Sequence, residues 1–144
     1  MDHPEPSSTP AAIARIGVDY RVEIDVGAKG EHHIVADEPG ALGGENDGPD
    51  PFGLLYAALA SCVLITIRMY ATRKEWPLES AELRIFPKRV PPGPLESARL
   101  ELVLHGAGLT PEHRERIVQV AGKCPVHRTL ESPVHIETVE GIAR

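Results

Sequence analysis

The chain has little of several things, and each shortage excludes something. Its 144 residues include two cysteines, Cys62 and Cys124. That is too few for a disulfide-stapled scaffold or an all-cysteine zinc site. Aromatic residues are 4% of the total, so any core is built mainly of Leu, Ile, Val and Ala. No block of lysine or arginine occurs, and the net charge is −6, which argues against nucleic acid or an anionic membrane as partner. The longest apolar run, Leu54 to Ile67, is interrupted by Ser61, Cys62 and Thr66. It falls short of the roughly 20 residues of a membrane span and reads as a buried core helix. The first ten residues (MDHPEPSSTP) have neither a basic nor an apolar region of the kind a signal peptide carries. Residues 1–11 are therefore expected to be a disordered tail, 12–144 a single domain, and the cytoplasm its compartment.

What is present is a clear alternation of elements. Val22, Ile24 and Val26 alternate with Arg21, Glu23 and Asp25, the pattern of a half-buried strand over Tyr20–Val26. Gly27 to Gly30 predict a turn and Glu31–Asp37 the return strand. Glu38–Pro49, rich in glycine but lacking any phosphate-binding spacing, reads as a long mobile connection. Asp50-Pro51 opens a helix expected over Phe52–Lys74, capped by the Asp oxygen and closed by Trp76-Pro77. That helix is apolar nearly all round, which predicts burial on several sides. Alternation in Ala81–Phe86 and Ala98–His105 predicts two further strands. Thr110-Pro111-Glu112 caps a second helix bearing Ile117, Val120, Ala121 and Cys124 on one face, broken at Pro125. Val134, Ile136 and Thr138 mark a last strand. The order β-β-α-β-β-α-β is an α+β fold with mostly antiparallel strands packed on two main helices.

Each cysteine thus falls on the core-facing side of one of the two long helices. Either alone is most simply a small buried hydrophobe. Cys124 has Lys123, His127 and Arg128 beside it in sequence, and positive charge favours a reactive thiolate. If the helices pack together the sulfurs can meet, which makes paired redox cysteines a candidate chemistry. Two rivals are weaker. Seven histidines are present, but no metal-ligand spacing links them, so they read as surface residues and no metal or cofactor is expected. A Cys62–His127 nucleophile–base pair for acyl transfer lacks any recognisable oxyanion hole or orienting group.

Three segments carry a family resemblance. They are Gly48-Pro49-Asp50-Pro51 with Leu54–Cys62, then Arg68-Met69-Tyr70-Ala71 with Trp76-Pro77-Leu78, and finally Lys123-Cys124-Pro125-Val126-His127-Arg128-Thr129-Leu130-Glu131-Ser132. Together they resemble the OsmC/Ohr family of thiol-dependent peroxidases over about residues 16–139. The resemblance implies an intertwined homodimer with its active sites at the interface. It implies Cys62 as the peroxidatic and Cys124 as the resolving cysteine, with Arg21 the best match to the arginine that stabilises the thiolate. It also implies an organic hydroperoxide as substrate and an external dithiol as reductant. Phe52, Leu55 and Leu59 are the expected substrate pocket. At Phe52 the better-known peroxidases carry a glutamate that pairs with the arginine; Glu38, Glu45 and Asp50 are the candidate substitutes here. That departure leaves a second reading, a non-catalytic OsmC-like protein holding a small apolar ligand in the dimer cleft.

Overall fold

A computed structural model describes residues 4–143. Of the expected tail and domain, residues 1–3 and 144 lie outside the described residues, and 4–10 carry no helix or strand. The fold is α+β, with antiparallel sheets and three helices, and it divides into two compact units, residues 4–56 and 57–143.

The first unit is a three-stranded meander, β1 (Ala12–Ile16), β2 (Val22–Val26) and β3 (His32–Ala36), in the order β1-β2-β3. The β2–β3 hairpin pairs Val22 with Ala36 and Val26 with His32. Its turn needs glycine at Gly27 and Gly30, whose φ values of 105° and 63° disfavour a side chain. The strand at Ala12–Ile16 was not expected from the sequence, because all five of its residues are exposed; backbone pairing to β2 and the Arg15–Asp25 ion pair at 3.1 Å hold it. β2 begins one residue after Arg21, which the alternation had placed inside the strand.

Residues 38–49 are not the loose connection their glycine content suggests. They contain a single 3₁₀ turn, Gly40–Leu42, and return to the sheet where the Asp37 N–H donates to the Pro49 carbonyl at 3.1 Å. Asp37 itself is buried, at 2% exposure. Its carboxylate accepts the backbone N–H groups of Glu38 (2.8 Å), Glu45 and Asp47 (both 3.2 Å). Burial works to raise its pKa, but these donors, with the Arg21 charge, hold it below the ordinary carboxylate value.

Helix α1 runs over Pro51–Arg73, and the Asp50 side chain caps it by accepting the Gly53 N–H at 2.8 Å. It ends where Glu75 turns left-handed (φ 57°) and the Trp76 N–H reaches back to the Ala71 carbonyl. By length and composition α1 is apolar enough to cross a membrane, with mean hydropathy 1.8, more than its interrupted run suggested. Its second half is nevertheless part of a packed core. Leu59, Val63, Ile67 and Ala71, spaced every fourth residue, form the buried line. Burial on several sides is not what the structure shows: Ile65 and Met69, on other faces, are 58% and 67% exposed. Among the described residues one face of the helix is covered, with Cys62, Leu64 and Tyr70 packed beside the buried line.

The second unit completes that core with strands β4 (Ser80–Arg89) and β5 (Leu95–His105) and helices α2 (Pro111–Ala121) and α3 (Pro125–Leu130). β4 and β5 pair antiparallel, turning Ala81, Leu83 and Ile85 and Leu100, Leu102 and Leu104 toward the buried cluster. Thr110 caps α2 as expected, accepting the His113 N–H at 3.1 Å, while its own N–H donates to His113 Nδ1. The second helix does not reach Cys124: it stops at Ala121, and Pro125 starts α3 rather than ending α2. Proline is well suited to a first helical position, since its missing N–H has no partner there anyway. The expected last strand is absent among the described residues. Val134 and Ile136 lie in an irregular segment, 58% and 79% exposed, with no strand beside them.

Candidate functional site: two thiols of unequal acidity

The break between α2 and α3 places Cys124 at the cap of α3, where its Sγ accepts the His127 N–H at 3.3 Å. Cys124 is fully buried among Ile117, Val120, Ala121 and the α1 line. Cys62, three turns into α1, is half-buried and packs on the edge of the same cluster. The two sulfurs meet: the Cys124 thiol donates to Cys62, and both are free.

Their surroundings drive them in opposite directions. Around Cys62, burial acts to raise the pKa, but the Cys124 thiol, the Val126 N–H and the Thr66 hydroxyl outweigh it. The net direction is down, toward thiolate. At Cys124 burial and the bond donated to Cys62 push the pKa up, more than the His127 and Val126 N–H groups pull it down. The sequence neighbours Lys123 and Arg128 suggested the reverse, a reactive Cys124. Both are exposed, and neither charge is among the causes that shift Cys124. We therefore expect iodoacetamide to modify Cys62 half-maximally below the ordinary thiol pKa of about 8.5, and Cys124 only above it. Peptide mass spectrometry across a pH series checks the order, and equal profiles would contradict it.

The other anticipated residues are placed as follows. Arg21, in the 4–56 unit, gives Nη1 to Asp47 at 2.9 Å and Nη2 to Glu23 at 3.4 Å. The carboxylates that pair with Arg21 are therefore Asp47 and Glu23, and not Glu38, Glu45 or Asp50, the substitutes expected for the acid missing at Phe52. Phe52 and Leu55 stand on the first turns of α1, with the Phe52 ring 6.1 Å from Tyr56. Leu59 alone of the three expected pocket residues lines a cavity of about 310 Å³, together with Leu95, Leu100, His127 and Leu130.

The His127 ring lies 3.1 Å from a Glu131 carboxylate oxygen, but Nδ1 is off the line a hydrogen bond needs. What His127 offers a sulfur is its backbone N–H, and that sulfur is Cys124's, so the arrangement does not build the Cys62–His127 base pair. Among the described residues no three His, Cys, Asp or Glu side chains gather as a metal site. Thr66, Val126 and Asp47 were not anticipated as functional. Thr66 had a signal, since it stands one turn from Cys62, whereas Val126 acts through its backbone.

Against known proteins, the sequence model of the family described as OsmC-like protein matches residues 44–139. The chain belongs to the OsmC-like protein family. Solved OsmC-like structures share its fold. The OsmC-like protein of Mycoplasma pneumoniae is 22% identical, with a TM-score of 0.70 over 91% of this chain and 89% of that one. An organic hydroperoxide resistance protein OsmC from Legionella pneumophila is 26% identical, with a TM-score of 0.59 over 88% and 91%. An organic hydroperoxide resistance protein from Elizabethkingia anophelis is 18% identical, with a TM-score of 0.62 over 88% and 90%. A search of curated proteins found no match.

Proposed function

We propose that this OsmC-like protein is a thiol-dependent peroxidase that reduces organic hydroperoxides. The observation that carries the reading is the contact between two free thiols, one biased toward thiolate and the other toward thiol. The Cys62 thiolate attacks one oxygen of the O–O bond. An S–O bond forms, the O–O bond breaks, and the leaving alkoxide takes a proton to become the alcohol. Cys62 is then a sulfenic acid. Cys124 attacks its sulfur, a disulfide forms, and the hydroxyl departs as water with the proton Cys124 gives up. An external dithiol reduces the disulfide, so the cycle converts hydroperoxide and dithiol to alcohol, water and a second disulfide. Arg21 is proposed to stabilise the thiolate, and the aliphatic neighbourhood of Leu55 and Leu59 to favour an alkyl peroxide over hydrogen peroxide. Free thiols suit the cytoplasm we propose as its compartment.

The test is consumption of cumene or tert-butyl hydroperoxide with a dithiol, followed by intact mass after alkylation. Turnover is expected, and substoichiometric peroxide should remove both reactive thiols of a chain together. No turnover, with both thiols still alkylated after peroxide, would favour the second reading, a ligand-binding protein without turnover. That reading has its own support in Phe52 and the cavity at Leu59.

The working unit is proposed to be a homodimer. Ile65 and Met69 on α1 are uncovered, as are Ile13, Ile16 and Leu42 of the first unit. The alternating segment around Val134 and Ile136 lacks a pairing strand, and exposed apolar groups on this scale mark interaction surfaces. Light scattering should return twice the 15.6 kDa chain mass, and a stable monomer at micromolar concentration would overturn the proposal.

A further inference from the structure

We propose that Asp37 is a positioning residue for Arg21, acting through the loop of residues 38–49. This rests on the reading that Arg21 assists the reactive thiol. Asp47 makes the link, because it is held at both ends. Its backbone N–H donates to the buried Asp37 carboxylate at 3.2 Å, and its own carboxylate accepts Arg21 Nη1 at 2.9 Å. Asp37 also takes the N–H groups of Glu38 and Glu45, so both ends of the loop are fastened to one anion.

An exposed arginine–carboxylate pair on its own holds a long side chain poorly. Arg21 and Asp47 are both about two-fifths exposed. What fixes this pair is that one partner's backbone is tied to an anchor 2% exposed. Gly44 allows the anchoring. A Cβ there would collide with the Glu38 carbonyl and come within 2.8 Å of Asp37 Oδ1, so a side chain would drive the loop off its anchor.

Asparagine at position 37 keeps the shape and one acceptor oxygen but loses the charge and turns an amide N–H₂ toward the loop donors. Two readouts test the proposal. The first is solvent exchange of the Arg21 guanidinium protons by ¹⁵N NMR, which needs no activity. Asp37→Asn is expected to speed it at least severalfold, and Asp47→Asn to do the same. Unchanged exchange in a folded Asp37→Asn protein would overturn the proposal. The second is kcat/KM for hydroperoxide, where Asp37→Asn is expected to cost about tenfold in wild type and less than twofold in an Arg21→Ala background. Equal losses in both backgrounds would show that Asp37 acts on the fold and not through Arg21. Gly44→Ala, which shifts the same loop and leaves every charge in place, serves if Asp37→Asn does not fold, with the same expectations. A wild type without hydroperoxide turnover would defeat the peroxidase reading alone, leaving the exchange measurement to decide the role of Asp37.

Discussion

Cys62→Ser is expected to lower hydroperoxide turnover by about three orders of magnitude or more, to the level of the uncatalysed reaction. A serine hydroxyl accepts the same hydrogen bonds from Val126 and Thr66, but it stays protonated near neutrality and is a poor nucleophile toward the O–O bond. Cys124→Ser should behave differently. Cys62 keeps the Val126 N–H and the Thr66 hydroxyl, loses only the Cys124 thiol as donor, and can gain the serine hydroxyl in its place. The first step then proceeds once, giving about one equivalent of alcohol per chain, and halts at a sulfenic acid that dimedone traps. Steady-state dithiol oxidation monitors the first variant, and alcohol release with adduct mass the second. Cys62→Ser turning over like wild type, or Cys124→Ser sustaining the full cycle, would reverse or void the assigned roles.

Much of this arrangement was legible in the residues before the coordinates. Apolar periodicity placed Cys62 on an inward helix face, where it is; Cys124 packs on the same core, but from the cap of α3 and not from a face of α2. Their contact was legible only through the family resemblance: 62 residues separate them, and no local pattern encodes a meeting that distant. The acidity was misread for a related reason. Lys123 and Arg128 are neighbours of Cys124 in sequence, but both are exposed, and burial and hydrogen-bond direction set its pKa. The Arg21 partner was hidden because Asp47 is presented by a loop whose order depends on three backbone donors converging on Asp37, a pattern with no sequence period. β1 escaped because none of its residues is buried, so no apolar face marks it; backbone pairing and the exposed Arg15–Asp25 pair hold it to β2. The terminal alternation at Val134 and Ile136 was the opposite case, a strand pattern without a neighbouring edge to pair with inside the described chain.

Ile117→Ala is expected to cost about 3 kcal/mol of folding stability, within the range of about 2–5 for emptying a fully buried aliphatic site. Ile117 has no exposed surface and sits in the cluster that contains Leu59, Val63, Ile67 and Cys124. Removing its branched end leaves a void that α2 cannot close without shifting the chain that leads to Cys124. Against a typical total of 5–15 kcal/mol this is a large fraction, and it corresponds to roughly 10 °C in Tm for a chain of this size. Val118→Ala is the control: one residue along the same helix, Val118 is 57% exposed, and its truncation should stay within about 0.5 kcal/mol. Trp76, packed against the same core, reports unfolding by fluorescence. The chemical consequence follows from the shared packing. In the folded Ile117→Ala protein, Cys124 should react with a bulky disulfide reagent well below the temperature at which wild type does, because the same void loosens the wall that buries its sulfur. A loss below about 1 kcal/mol, with Cys124 protected as in wild type, would mean that the core around Ile117 does not hold the thiol pair in place.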